Sequence, residues 1–482
     1  MCGIAGIWER SGKPADRAAL ERMAAILHHR GPDGSGIHVD GALGLANRRL
    51  AIVDPTPAGD QPMGLPERGL WLTYNGEIHN YLELRRELET RGASFRTQTD
   101  TEVVLHAYDA WGADCFERFN GMWALGLWDA RERRLVLSRD RFGIKPLCYS
   151  VRGSRVCFAS EAKAILSAFP GEREADNGEI ERFLSGHYPD AGEDTFFANV
   201  KQLAPGSYAV VSPDRLQSRR YWSFRPGEET ARPDAVERFR ALFDESVQLR
   251  MRSDVPVGAC LSGGLDSSAI AAVVEIPDGR PMQCFSLRYD GGRFDESHYA
   301  ATAAAARGDR IEMHWVRPKP AGMLETMRKI VWHHDAPTPV RGRFAQWFVM
   351  EEAGRHVKVV IDGQGGDELL AGYARFVVPY LVDRVLRRGR PGPGGMPFLQ
   401  EASDLGEIES RSRLWFYSRA PFQLGQEALG IRPWMSGRVQ RRAFSKRFGA
   451  SPVERERPYK SFMNNRLWHE FRREGLPEVL HC

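Results

Sequence analysis

Two patterns of hydrophobic and polar positions divide the chain. In the N-terminal half, residues 120–129 alternate apolar with polar positions and are rich in aromatic residues, which predicts a half-buried strand. Residues 133–139 follow as its hairpin partner. Residues 15–28 have helical spacing of apolar positions, and a second helix is expected from about Asp100 to about Trp111. Strands interrupted by two helical stretches predict an α/β fold of the αββα sandwich type, with two stacked antiparallel sheets.

The C-terminal half has short apolar runs separated by helical segments. The runs that predict buried strands are residues 255–261, 282–287, 311–316 and 357–361. Alternating strands and helices favour a doubly wound parallel sheet, whose ligand crevice lies at the carboxyl ends of the strands.

A polar segment rich in Arg, Pro, Gly and Glu lies between the two patterns, near residues 213–234. We therefore predict an N-terminal domain at 1–215, a linker at 216–234 and a C-terminal domain at 235–482.

Composition narrows the class of protein. The 482 residues carry a formal net charge of only +4, which gives no reason to expect nucleic acid as a partner. Seven cysteines are scattered without a CxxC pair, as in a protein with reduced thiols, and the N-terminus lacks a signal-peptide pattern. No apolar run has the length of a membrane span. These features predict a cytoplasmic protein that does not bind membranes.

The stretch Ser262–Ser268, SGGLDSS, follows a predicted strand and begins a predicted helix. Backbone N–H groups and the positive end of the helix would meet there and attract a phosphate. Asp266 would repel that phosphate unless a cation such as Mg²⁺ bridged the two. The alternative is an ordinary glycine-rich turn in which Asp or Ser caps the helix.

A second glycine-rich loop, Asp362–Glu368, follows the strand at 357–361 and should lie at the same sheet edge. Asp367 would add a second carboxylate for one Mg²⁺-pyrophosphate. The two loops together predict a nucleotide site.

The N-terminus indicates a different chemistry. Removal of Met1 would make Cys2 the first residue, with a thiol beside an α-amine that can act as its base. Such a thiol is suited to attack a glutamine side-chain amide. The alternative is an ordinary buried cysteine at the start of a strand.

Other N-terminal residues are candidates for holding that substrate. Arg49 belongs to a predicted strand opened by two arginines, and such an arginine can clamp a carboxylate. Asn75 and the N–H group of Gly76 would form an oxyanion hole, and Glu77 and Asp100 would accept from an ammonium group. The alternatives are an Asn-Gly turn and a helix-capping Asp.

The start Met1–Gly6, MCGIAG, resembles the class II glutamine amidotransferases, which are N-terminal-nucleophile (Ntn) hydrolases, and SGGLDSS resembles the PP-loop ATP pyrophosphatases. Both motifs in this order resemble the glutamine-hydrolysing asparagine synthetases of the B type, over nearly the whole chain. This resemblance implies that glutamine is hydrolysed at Cys2 and that ammonia reaches an aspartate adenylated by ATP with Mg²⁺.

The resemblance also implies residue roles. The implied catalytic residues are Cys2, Asn75 and Gly76. The implied glutamine-binding residues are Arg49, Ile52, Val53, Asn75, Gly76, Glu77 and Asp100. The implied ATP-binding residues are Leu261, Ser262, Gly263, Gly264, Asp266, Ser267, Ser268, Leu287, Asp362, Gly363 and Asp367, with Asp266 and Asp367 holding the metal through pyrophosphate.

Departures from the family keep alternatives open. Gln364 and Ala336 stand where many members have acidic residues, which favours another biosynthetic carboxylate as acceptor. The chain ends at Cys482, before the family's acceptor-binding segment, so we expect a C-terminally shortened form. A glutaminase without synthetase activity and a non-catalytic binding remnant are the other hypotheses, and a homodimer is an open expectation.

Overall fold

A computed structural model describes residues 1–184, 192–225, 232–276, 279–291, 295–319, 321–337, 342–373, 376, 380 and 462–469. The strands are β1 (Gly3–Glu9), β2 (Gly34–Asp40), β3 (Leu43–Arg49), β4 (Met63–Leu65), β5 (Leu70–Ile78), β6 (Gly121–Asp129), β7 (Arg134–Arg139), β8 (Cys148–Arg152), β9 (Arg155–Ala159), β10 (Lys201–Gln202), β11 (Ser207–Val211), β12 (Leu216–Arg220), β13 (Val257–Cys260), β14 (Met282–Leu287), β15 (Ile311–Val316) and β16 (Val359–Ile361). The α-helices are α1 (Arg17–Ile26), α2 (Tyr81–Thr90), α3 (Asp100–Trp111), α4 (Cys115–Arg118), α5 (Ala162–Ala168), α6 (Asn177–Leu184), α7 (Ala235–Arg250), α8 (Leu265–Val273), α9 (Ser297–Arg307), α10 (Met323–His334), α11 (Arg343–Ala353), α12 (Gly366–Leu370) and α13 (Phe462–His469).

Two antiparallel sheets form the N-terminal half. Their strand orders are β10-β8-β9-β1-β3-β2 and β12-β11-β7-β6-β5-β4. The inner faces share one buried cluster, in which Trp8 of the first sheet meets Trp128 of the second at a ring-centroid distance of 5.0 Å. Helices α1 and α5 cover the outer face of the first sheet, and α2 and α3 cover that of the second. The predicted αββα sandwich is confirmed.

The predicted strand positions near the candidate residues need correction. β5 continues through Asn75 and Gly76 to Ile78, so these residues do not form a turn. Nine consecutive pairs with β6 hold them in the sheet. Arg49 ends β3 instead of opening a strand, and residues 50–54 form a loop.

A four-stranded parallel sheet with the order β15-β14-β13-β16 forms the C-terminal half. Helices α7, α8 and α9 pack on one face, and α11 packs on the other, so the predicted doubly wound parallel sheet is confirmed. The chain leaves β13 towards β14 on one side and returns with β16 on the other. This reversal of strand order places a crevice between the loops that follow β13 and β16.

The predicted linker at 216–234 begins too early. β12 lies inside it and pairs with β11 along five residues. Its exposed, arginine-rich sequence protects a sheet edge, which explains why its composition resembled that of a linker. Tyr221 then donates a hydrogen bond to the carbonyl of Arg139 at 2.9 Å, so we propose that the N-terminal domain extends through Trp222.

Within the described residues, none of the helices combines the length and the apolar character needed to cross a bilayer.

Candidate active sites

Cys2 lies directly before β1, at a cavity of about 180 Å³ between β3 and β5. The N–H group of Leu50 donates to its Sγ at 3.3 Å, and Arg30 Nε donates to its carbonyl at 2.9 Å. These contacts hold the half-buried thiol at the cavity wall. The volume suits an amino acid more than a larger ligand.

All the residues predicted to act on glutamine line this one cavity: Cys2, Arg49, Ile52, Val53, Asn75, Gly76, Glu77 and Asp100. Residues far apart in sequence meet there because the start of β1, the end of β3 and the last part of β5 border the same cavity.

The side-chain amide of Asn75 is suited to an oxyanion hole. Its Nδ2 is buried and has no hydrogen-bond partner within the described part of the chain. A buried donor without a partner is costly, so one that lines a cavity is suited to a ligand oxygen.

The direction of the Gly76 amide follows from its neighbours on β5. The N–H of Tyr74 donates to Gln61 Oε1 at 2.7 Å, and that of Ile78 donates to Asp100 Oδ2 at 3.0 Å. Both therefore point away from β6. Because every second amide of a strand points the same way, the Gly76 N–H also points away from β6, towards the cavity.

Arg49 is buried, and its guanidinium holds the loop that follows β3. Nη1 donates to the carbonyl of Thr56 at 2.8 Å and to Asp60 Oδ1 at 3.0 Å, and Nη2 donates to the carbonyl of Asp54. The Asp60 side chain is 62% exposed, so a substrate carboxylate could replace it on Nη1 without unfolding the loop.

Two buried carboxylates line the cavity together with the basic side chains of Arg49 and Lys145. Burial raises the pKa of Glu77 to about 7, with Lys145 opposing and Asp100 adding to that rise. Burial also raises the pKa of Asp100, although Tyr74 Oη donates to it at 2.8 Å. A bound ammonium group would favour the ionised form of both carboxylates.

Glutamine affinity is expected to fall at acidic pH because of Glu77. Below its pKa of about 7, Glu77 must lose a proton before it can bind an ammonium group, so the affinity should decrease about tenfold per pH unit below that value. Calorimetric titration of a Cys2→Ala variant with glutamine at about pH 6 and about pH 8 measures the effect without turnover. In Glu77→Gln the acidic decrease should disappear, and its persistence there would contradict the assignment.

Met1, which carries the terminal amine, lines the same cavity. Burial lowers the pKa of the Met1 α-amine to about 5. An amine in this environment is neutral at neutral pH and can accept a proton. If Met1 is removed, the amine of Cys2 would lie next to the same groups.

The sequence reasoning missed Gln61 and Lys145, which line this cavity, and Arg30, which holds the Cys2 carbonyl beside it. Lys145 lies in the charged loop after β7, where both oxygens of Asp140 accept backbone N–H groups. The clustered charges of residues 139–145 are the only signal that could have indicated it.

The cavity also touches the C-terminal half, since Lys358, Val359 and Val360 of the β16 region line it with Cys2. Lys358 Nζ donates to Asp33 Oδ2 at 2.7 Å, and the N–H of Asp54 donates to Asp254 Oδ2 at 2.8 Å. One strand, β16, therefore borders the thiol cavity and leads into the second glycine-rich loop.

The first loop follows β13 as predicted, and its polar groups hold one another. Ser262 Oγ lies 3.0 Å from Ser267 Oγ and accepts the N–H of Gly264 at 3.3 Å. Gly263 has a φ of +84°, and a Cβ there would lie 2.3 Å from the amide nitrogen of Ala300. The loop is thus packed on α9, and Ser268 lies in the first turn of α8.

The second loop packs against the first through Asp266. A Cβ added to Gly366 would lie 2.5 Å from Asp266 Oδ2, and one added to Gly363 would lie 3.0 Å from Asp266 Cβ. Burial and the nearby Glu368 raise the pKa of Asp266, and burial raises that of Asp362. The predicted loops therefore meet and concentrate carboxylates.

The position of Asp367 differs from that of Asp266. Its Oδ1 lies beside Gly372, where a Cβ would come within 1.8 Å. Glu368, which sequence reasoning missed, is buried, and its Oε2 lacks a hydrogen-bond partner within the described ranges. Leu261 and Leu287 lie at the carboxyl ends of β13 and β14, at the same edge of the sheet.

Comparison with known proteins covers both halves. Residues 1–222 match the glutamine amidotransferase domain family, and residues 238–466 match the asparagine synthase family. The chain is 36% identical to asparagine synthetase [glutamine-hydrolyzing] 1 of Bacillus subtilis, over 77% of this chain and 59% of that protein.

Two further relatives are covered more fully. A putative asparagine synthetase [glutamine-hydrolyzing] 2 of Methanocaldococcus jannaschii is 34% identical over 80% of this chain and 78% of its own length. A putative asparagine synthetase [glutamine-hydrolyzing] of Mycobacterium tuberculosis is 33% identical over 94% of this chain and 75% of its own length. The two domains in this order and these relatives show that the chain belongs to the family of glutamine-hydrolysing asparagine synthetases.

Proposed function

We propose that this chain is an ATP-dependent amide ligase that takes ammonia from glutamine and transfers it to aspartate, forming asparagine. The observation that carries this proposal is the position of β16, which borders the Cys2 cavity and leads into the loop that packs on Asp266. A thiol site and a nucleotide crevice on one strand suit a reaction that passes ammonia from one to the other.

Glutamine hydrolysis would begin at the thiol of Cys2. The free α-amine takes the thiol proton, and Sγ attacks the side-chain amide carbon. The amide Nδ2 of Asn75 and the N–H of Gly76 stabilise the negative oxygen that forms. Ammonia leaves, and water then hydrolyses the thioester to glutamate.

The substrate's charged ends would be held by the cavity wall. The α-carboxylate takes the place of Asp60 on Arg49, beside Ile52 and Val53, and the ammonium group is held by Glu77 and Asp100. Both carboxylates keep a raised pKa until that cation enters.

The synthetase step would occur between the two glycine-rich loops. An aspartate oxygen attacks the α-phosphorus of ATP and pyrophosphate leaves, and ammonia then displaces AMP from the acyl adenylate. Adenylation is needed because ammonia does not displace oxide from a carboxylate.

The described residues of the crevice fit Mg²⁺. Burial and the nearby Glu368 raise the pKa of Asp266, and a divalent cation would favour the ionised form of Asp266. Asp266 would hold the metal with Asp367, and Glu368 stands beside them. The bound metal would neutralise charge on the departing pyrophosphate.

ATP would bind along the same crevice. The first loop, with Ser262, Gly263, Gly264, Ser267 and Ser268, would hold pyrophosphate. Leu261 and Leu287 would lie against adenine, and Asp362 and Gly363 would contact the nucleotide.

The identity of the acceptor as aspartate is a proposal, because the chain spans 59% of the length of its Bacillus subtilis relative. Gln364 exposes its side chain beside Asp362, where many family members have an acid. A different small carboxylic acid is therefore the second candidate, and a glutaminase without ligase activity is the third.

The cellular setting is also a proposal. All six cysteines within the described residues are free, as suits a reducing compartment, and we propose the cytoplasm. A homodimer stays a prediction.

The decisive experiment follows pyrophosphate released from ATP and Mg²⁺ with aspartate, using glutamine and then ammonium as the nitrogen source. Asparagine formed with both sources supports the proposal. Gly366→Ala should lower release about tenfold, because its Cβ would displace the Asp266 carboxylate.

Gly171→Ala is the matched control, since a Cβ there meets nothing within 4 Å. Glutamate without pyrophosphate, for aspartate and for a panel of other acids, would leave a glutaminase only. Pyrophosphate with another acid and not with aspartate would reassign the acceptor.

A further inference from the structure

A second group of side chains that could ligate a metal joins the edge strand β15 to the segment between α11 and β16. His314 is on the edge strand β15, Glu352 is in the last turn of α11, and His356 follows that helix. One ligand atom from each lies within 4.8 Å of the other two. The two imidazole centroids are 4.1 Å apart, and Glu352 Oε1 is 3.1 Å from His356 Nε2.

The surroundings of His314 fix its tautomer. Gln283 Nε2 donates to Glu312 Oε2 at 2.8 Å, and because a carboxylate only accepts, the amide oxygen of Gln283 must face His314. That oxygen lies 2.6 Å from His314 Nε2, which therefore carries the proton. The lone pair of His314 is then on Nδ1. Metal-binding histidines commonly donate their other N–H group in this way.

The remaining contacts also hold the three side chains in place. Buried Phe285 stacks on His314 with ring planes 20° apart, which fixes the imidazole orientation. Arg355 Nη1 donates to Glu352 Oε2 at 2.5 Å, which leaves Oε1 on the side of His356.

We propose that His314, Glu352 and His356 bind a Zn²⁺ ion that joins the end of α11 to the edge strand β15. Two imidazoles and one carboxylate are ligands that suit Zn²⁺, with the fourth position left to water, and imidazole nitrogen disfavours Mg²⁺ and Ca²⁺. Zinc–ligand bonds of about 2.1 Å place tetrahedral ligands about 3.4 Å apart. The observed separations approach this value, and the exposed His356 can close the rest.

The position of the ion gives it a structural role. His356 precedes β16, whereas the nucleotide crevice lies beyond the carboxyl ends of β13 and β16, so the cluster lies apart from that crevice. Zinc that binds the folded chain and not the unfolded chain raises the free energy of unfolding. It should therefore raise the melting temperature without being needed for glutamine hydrolysis.

The test is a titration of the full chain with Zn²⁺ against a competing chromophoric chelator. The Cys2→Ala variant is the starting protein, because a terminal thiol and amine can bind zinc themselves. One equivalent should bind, and His314→Ala and His356→Ala should each weaken binding at least about tenfold.

A positioning variant and a control variant test whether zinc binds at this cluster. Gln283→Leu keeps all three ligands and should still weaken binding about tenfold, because the Nδ1 lone pair is no longer enforced. His38→Ala removes a half-buried histidine outside the cluster and should bind zinc normally. Zinc should raise the melting temperature of the starting protein and not that of His314→Ala.

The proposal fails if the starting protein binds no zinc in the micromolar range. It also fails if His314→Ala binds as tightly as the starting protein, since the cluster would then be a solvated group of histidines. Equal circular dichroism spectra without zinc show that a variant has folded.

Discussion

Replacing Cys2 with alanine is expected to lower glutamine hydrolysis at least about 1,000-fold, because the only nucleophile of the proposed reaction is then missing. Pyrophosphate release with ammonium as nitrogen source should continue at the wild-type rate. Cys2 lies before β1 and contacts Leu50 and Arg30 in the N-terminal half, so the substitution leaves the loops around Asp266 unchanged.

Glutamate and pyrophosphate measured in the same samples separate the two halves of the reaction. Cys148→Ala is the matched control, because burial raises the pKa of that thiol to about 12 and makes it a poor nucleophile. Equal glutamate release from Cys2→Ala and the wild type would show that another group carries the hydrolysis. Loss of ammonium-dependent release in the same variant would show instead that the thiol cavity also supports the ligase site.

The kind of sheet in each half could be predicted from the sequence because periodicity reports burial directly. Alternation at residues 120–129 gave β6, and apolar runs separated by helices gave the parallel sheet. The boundary failed at β12, where an exposed edge strand has the composition of a linker. A polar composition indicates exposure to solvent. Because an edge strand and a linker are both exposed, composition does not distinguish them.

The candidate residues were predicted better than their partners. The motifs named Cys2, Asn75 and Asp266, since motif residues stand next to one another in sequence. The residues that contact them in the fold could not be predicted in this way. Arg30, for example, holds the Cys2 carbonyl, and Glu368 lies near Asp266. Such contacts depend on the strand order, which the spacing of residues along a chain does not contain.

Arg49 shows a related limit of prediction from the sequence. The sequence indicates a guanidinium near a strand end, and the structure gives that guanidinium four oxygen partners in the loop that follows the strand. Only the geometry shows that Asp60 is the exposed partner that a substrate carboxylate could replace.

Asn75 tests the oxyanion hole more sharply than Cys2 does, because it separates substrate binding from catalysis. Asn75→Ala is expected to lower kcat for glutamine hydrolysis about 100- to 1,000-fold, as loss of one such donor does elsewhere, with KM changed little. The reason is that Nδ2 has no partner within the described residues, so its contribution is realised when the amide oxygen becomes negative. Steady-state kinetics at saturating and at limiting glutamine give both constants. Asn80→Ala is the control, because it removes a half-buried amide that does not line the cavity and is bonded to the carbonyl of Arg118 and the N–H of Asn120. A higher KM with unchanged kcat would instead mean that Asn75 binds the ground state of glutamine, and the donor of the oxyanion hole would have to be sought elsewhere in the cavity.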